Sequence, residues 1–160
     1  MPLPVAWRVV TSLKERLQAD LTASMRARDE LRTATLRMAL TAMTNEEVAG
    51  KQARTLSDAD VMRVLTREAK KRREAAEAFD NGGRPDRAER ERAEGTVLEG
   101  YLPAQLGDEE LAALVRDAVT ETGASGPGQM GAVMKAVNAK VAGRAEGGRV
   151  AAAVRAALAG

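Results

Sequence analysis

Three groups of side chains in this sequence could carry chemistry. The first lies near the C-terminal end, where Lys135, Lys140, Arg144, Arg149 and Arg155 are the five basic side chains of residues 123–160 and Glu146 is the one acid. A local charge of +4 over so short a stretch is the electrostatic footprint of a phosphate-binding surface. Arg144 and Arg149 also bracket a glycine-containing loop ahead of an expected helix N-terminus, where free N–H groups and the helix dipole favour anions. A solvated surface on a small Ala-rich bundle explains the same residues, so charge alone leaves both readings open.

The second group is the run Lys70-Lys71-Arg72-Arg73. Glu74 and Glu77 follow one helical turn after Lys70 and Arg73, so pairing at i,i+4 on an exposed face accounts for most of the run without a ligand. Arg72 differs, because it falls on the apolar stripe midway between Leu65 and Phe79. A guanidinium drawn towards a core needs a partner, and Glu91 or Glu94 on the next helix could supply it; a structural ion pair is the first reading of Arg72, a ligand contact the second.

The acids form the third group. Asp58/Asp60, Glu89/Glu91/Glu94 and Asp108/Glu109/Glu110 read as helix caps or members of alternating-charge faces, with no Ser, Tyr or Lys converging on them by spacing. The chain has no histidine and no cysteine, which removes zinc-finger, disulfide, cysteine-nucleophile and Ser-His-Asp chemistry. Neither a GxGxxG turn nor a GxxxxGK[ST] phosphate loop is present. Catalysis by this chain alone is not expected, nor is a metal or cofactor. The aromatics are only Trp7, Phe79 and Tyr101, too few for a surface that stacks single-stranded bases. Structured RNA read by shape and phosphate remains open, although the net charge of +2 does not itself point to nucleic acid.

These groups must be positioned by helices. The 160 residues are 44% hydrophobic, carried by Ala, Leu, Val and Met, with no Ile and 2% aromatics; such a composition predicts an all-α protein. Residues 1–10 carry two prolines and precede the first capping signal, and read as a mobile leader consistent with an over-extended translation start. Ser12 predicts the start of a helix running to about Arg28, with Leu13, Leu17, Leu21 and Met25 on its buried stripe. A second helix, from about Asp29 to Gly50, has an apolar face broad enough for more than one neighbour. A third follows Ser57 and stops at Asn81-Gly82-Gly83; a fourth runs from about Asp86 to Leu102, with Gly95 an awkward interior residue. Three shorter helices follow, opening at Asp108, near Met130 and before Val150. The expected organisation is an N-terminal bundle of about four helices, 11–103, and a three-helix tail, 104–160. No stretch resembles a signal peptide or a membrane span, so a cytoplasmic protein without membrane contact is expected.

Several segments in order resemble the GatB/YqeY family: Thr35-Leu36-Arg37-Met38, Lys70-Lys71-Arg72-Arg73-Glu74, Gly83-Arg84 with Glu91 and Glu94, Tyr101-Leu102-Pro103, Met130-Gly131-Ala132-Val133-Met134-Lys135 and Gly143-Arg144-Ala145-Glu146-Gly147. The resemblance extends over roughly residues 11–159. Family members are similar to the tail of the B subunit of the glutamine-dependent Glu/Asp-tRNA amidotransferase, where the tail contacts the tRNA body and chemistry occurs in other domains. Related modules are appended to some glutaminyl-tRNA synthetases. The resemblance therefore implies a tRNA-binding accessory module, non-catalytic by itself, with a synthetase or amidotransferase as partner. The family label of carbon–nitrogen ligase activity with glutamine as amide donor then belongs to the complex. The resemblance further implies tRNA phosphate contacts at Lys135, Lys140, Arg144 and Arg149, with Lys70, Arg72 and Arg73 structural or secondary. The competing expectation is a protein-interaction adaptor that docks through its helical faces. Two departures stand out: Gly95 occupies a usually apolar position, and Glu146 replaces the commoner Asp.

Overall fold

The N-terminal boundary of the first helix is set by a hydroxyl: Ser12 accepts from the Glu15 N–H at 3.2 Å, and the Leu13 N–H donates to Asp58 Oδ1 at 2.9 Å. The computed structural model describes residues 11–159, so the leader expected over 1–10 lies outside the described residues. Among these residues the fold is all-helical: α1 Leu13–Arg26, α2 Glu30–Glu47, α3 Asp58–Asn81, α4 Pro85–Glu99, α5 Asp108–Thr122, α6 Met130–Val141 and α7 Gly147–Ala159, with a 3-10 turn at Pro127–Gln129. α3 begins with a complete capping box, in which Ser57 and Asp60 each satisfy a backbone N–H of the other. Pro85 occupies the first turn of α4, where its missing N–H costs nothing. α2 and α4 stop a turn earlier than expected. Val48 leaves helical geometry at φ −108°, and the Tyr101 N–H folds back onto the Leu98 carbonyl at 3.1 Å.

The chain forms two compact units that divide between Tyr101 and Leu102. In the first, α1–α4 bury Leu17, Leu36, Met43, Leu65 and Leu98, each at most 1% exposed. α1 keeps Leu17 of its predicted stripe fully inside, but Met25 is 50% exposed. Gly95 is buried in α4, and a Cβ there would lie 3.6 Å from Arg72 Cβ, an ordinary contact. Its cost is therefore one of backbone entropy, about 1 kcal/mol against alanine, rather than a demand of space.

In the second unit, α6 contributes Val133, Val137 and Val141 and α7 contributes Val150, Val154 and Leu158, both at strict four-residue spacing, to a core shared with Leu111, Val115 and Ala118 of α5. α6 ends at Ala142, which is left-handed at φ 48° and ψ 48°, followed by Gly143 at φ 79°. An alanine there strains its Cβ. Ala142→Gly is expected to stabilise the protein by about 0.5–1 kcal/mol, relief of the left-handed strain outweighing the added freedom of the unfolded chain. An unchanged or lowered denaturation midpoint would refute this.

Candidate nucleic-acid interface and neighbouring charge clusters

The tail's charge is polarised by helix. The acids Asp108, Glu109, Glu110, Asp117 and Glu121 lie on α5 with one base, Arg116, whereas Lys135, Lys140, Arg149 and Arg155 lie on α6 and α7 and Arg144 in the loop between them, with one acid, Glu146. The four residues singled out in the sequence do not share one condition. Lys135 is exposed, on the side of α6 away from Val133 and Val137, and has no ion pair among the described residues. Lys140 is bound to Glu121 at 2.7 Å, and that hydrogen bond raises its pKa above the usual lysine value. Arg144 turns back on α6, donating from Nε to the Val141 carbonyl at 3.0 Å and from Nη2 to the Lys140 carbonyl at 2.8 Å. It thus places its charge at the negative end of the helix dipole. Arg149 donates to the Leu106 carbonyl at 2.9 Å and pairs with Asp108 at 2.8 Å.

Arg144 and Arg149 share a second task. The Leu106 N–H donates to the Arg144 carbonyl at 2.7 Å while its own carbonyl takes Arg149, so the segment before α5 is tied to the α6–α7 loop. These bonds were invisible in the sequence because they join residues some forty positions apart. Arg155, counted in the charge but not singled out, is exposed on α7 and without an ion pair among the described residues. The surface charge left for a phosphate is concentrated at Lys135, Arg155 and Arg144.

In the first unit the basic run also makes pairs beyond those expected from i,i+4 spacing. Lys71 reaches back to Glu68 at 3.1 Å, and Arg73 crosses to Glu99 at 3.7 Å. Arg72 is held as the sequence suggested. Its Nε lies 3.1 Å from Glu94 Oε2 and 3.8 Å from Glu91 Oε2, and its Nη2 lies 3.9 Å from Glu68 Oε2. The same Nη2 reaches Met38 Sδ at 3.4 Å, so Arg72 bridges α3 to α4 and α2. Between α2 and α3 runs an open groove of about 550 Å³, with Arg37, Arg67, Lys71 and Arg72 along it.

A third cluster went unnoticed in the sequence. The Tyr101 hydroxyl donates to Asp20 Oδ2 at 2.6 Å and accepts from Arg32 Nη2 at 2.8 Å, while the Arg16 guanidinium lies 5.0 Å from the ring centroid. Burial, and then the bond to Asp20, push the hydroxyl pKa up to about 12. A tyrosine with two charged partners is a structural lock on α1 and α2, and only its rarity in the composition could have drawn attention to it.

With this geometry established, comparison with known proteins gives consistent matches. A family profile described as Yqey-like protein matches residues 14–158. The chain is 32% identical over 133 residues to "Altered inheritance of mitochondria protein 41, mitochondrial" of Pyrenophora tritici-repentis, covering 81% of this chain and 71% of that protein. It is 31% identical over 114 residues to the protein of the same name from Lachancea thermotolerans, covering 69% of this chain and 60% of the relative. An uncharacterized protein of Schizosaccharomyces pombe is 33% identical over 95 residues, covering 59% of this chain and 75% of that protein. The names of two relatives place those proteins in mitochondria, which overturns the cytoplasmic expectation. The physical reason is that lacking a secretory apolar core argues against one export route and leaves import into an organelle open. Among the described residues no helix is long and apolar enough to cross a membrane.

Proposed function

The chain belongs to the YqeY-like protein family, and from that premise we propose that it is a tRNA-binding accessory module, related to the tail of the glutamine-dependent Glu/Asp-tRNA amidotransferase and without turnover of its own. It binds the tRNA body through phosphates, raising the local tRNA concentration for a partner enzyme such as an aminoacyl-tRNA synthetase or amidotransferase. The relatives' names support a mitochondrial setting. The observation that carries the reading is the uneven charge of the tail, with five acids on α5 beside the single base Arg116, and five bases on α6, α7 and the loop joining them beside the single acid Glu146. Such a surplus of bases draws a polyanion to α6, α7 and their loop, where Lys135 and Arg155 carry no carboxylate partner among the described residues. Lys135 and Arg144 are the first contacts. Lys140 and Arg149 join by exchanging Glu121 and Asp108 for phosphate, and Arg155 extends the same charge along α7.

The test is binding of the full chain to total tRNA, and to a length-matched RNA duplex, across a salt series. Lys135→Ala/Arg155→Ala removes two exposed charges that hold no internal bond, so the fold is kept. The variant is expected to bind tRNA more weakly with a salt slope shallower by about two units, one per lost phosphate contact. Absence of tRNA binding at physiological salt, or an unchanged slope, would sink the reading. Glutaminase or ATPase turnover by the purified chain would equally overturn its non-catalytic part.

A further inference from the structure

The first unit leaves a helix seam uncovered. Among the described residues the large apolar side chains that stand exposed are Met25, Met38 and Val48, all on α1, α2 or the cap of α2. On α2, Met38, Ala42 and Asn45 follow one another at spacings of four and three and line the groove between α2 and α3, with Ala49 lining it just beyond the end of the helix. That four-three rhythm is the spacing by which one helix receives another, and the small alanines let a second backbone come close. The opposite side of α2, carrying Leu36, Ala39 and Met43, is already spent on the core of the unit. The broad apolar face read in the sequence therefore has one half without a neighbour.

Charge identifies the kind of helix. Arg37, beside the seam, has Met25 Sδ at 3.7 Å as its contact and no carboxylate partner among the described residues. Arg72 likewise meets Met38 Sδ, so the exposed methionine of the groove lies beside arginine. Met and Arg are the residues enriched in protein interfaces, methionine because its flexible thioether adapts to a partner's shape. A polyphosphate chain laid in the same groove would run against Glu46 and Glu68, which also line it. A helix with an apolar stripe and acidic flanks meets no such repulsion, since it can set single carboxylates at Arg37 and keep its neutral positions near the glutamates.

We propose that the α2–α3 groove docks an acidic amphipathic helix of a partner protein. This surface belongs to the first unit and stands independently of the RNA reading of the tail.

The experiment uses the full chain with carbon-13 methionine methyl groups, titrated with a set of peptides of about 18 residues, long enough to pair as helices, that carry Leu or Met at 4-3-4 spacing. One set has Asp and Glu flanks; the control set has Lys flanks. Acidic peptides are expected to shift the Met38 and Met25 signals while leaving buried Met43 and the α6 residues Met130 and Met134 in place. Lys-flanked peptides, and acidic peptides offered to Arg37→Glu, should bind at least about tenfold more weakly. Arg37→Glu is checked for unchanged thermal unfolding, with Arg37→Gln as its substitute if unfolding shifts. No Met38 shift at about 1 mM peptide, equal affinity for both charge types, or tRNA in place of peptide shifting Met38 would each overturn the proposal. Failure of the RNA reading is separately visible, as tRNA that leaves Met130 and Met134 unshifted.

Discussion

Arg72→Met is expected to lower the stability of the protein by about 3–5 kcal/mol, the scale for stranding buried charges by removing one partner. The Arg72 side chain is 15% exposed and stands among Glu94, Glu91 and Glu68, whose side chains are 7%, 22% and 10% exposed. Without it, Glu94 retains Arg90 at 3.2 Å and Glu68 retains Lys71 at 3.1 Å, both cations that reach in from solvent. Glu91 Oε2 has no hydrogen-bond partner even in the intact cluster, so its compensation is the nearby guanidinium charge. Methionine fills much of the volume, which makes the loss electrostatic rather than a cavity effect. Arg72→Met/Glu94→Gln should recover more than about 1 kcal/mol, because the double change removes a charge together with its partner. Arg72→Lys should lie between, as one ammonium cannot span three carboxylates as a planar guanidinium does. Urea denaturation of the series decides the matter; a loss below about 1 kcal/mol for Arg72→Met would show that the cluster is held by its outer cations.

Tyr101→Ala should cost about 3–5 kcal/mol through the cavity it leaves, since the ring is 7% exposed, and Tyr101→Phe about 1–3 kcal/mol through its hydroxyl alone. Asp20 and Arg32 remain 3.7 Å apart after the hydroxyl is lost, so Phe keeps part of the lock. The pH dependence separates the two contributions. Because folding raises the tyrosine pKa to about 12, the folded state holds its proton where the unfolded chain has released it. Its stabilising contribution is therefore complete below about pH 10 and falls between about pH 10 and 12. The gap between wild type and Tyr101→Phe should narrow over that window when unfolding is followed at fixed denaturant. A gap independent of pH would mean that the hydroxyl is not tied to Asp20 in solution.

Arg72 and Tyr101 show how unevenly the sequence exposes its own logic. Arg72 was legible because a charge on an apolar stripe breaks a local periodicity, and the acids of the next helix lie within reach of an antiparallel neighbour. Tyr101 was not, since Asp20 and Arg32 come from helices some seventy to eighty residues earlier and no local pattern links them. The tail divides in the same way. Its surplus of basic side chains can be counted in the sequence, but the commitment of Arg149 to Leu106 and Asp108 and of Lys140 to Glu121 cannot.

The sequence by itself determined the helical class, the helix starts at Ser12 and Ser57, the stop at Asn81-Gly82-Gly83 and the valine stripes of α6 and α7. All of these rest on interactions within a few residues, namely caps, glycine stops and four-residue periodicity. Only the tertiary structure decided which half of α2 is buried, which basic side chains are already bound, and where three carboxylates gather on one guanidinium. Those outcomes depend on the docking of helices distant in the chain, where burial and pairing are set by the neighbour rather than by the residue itself.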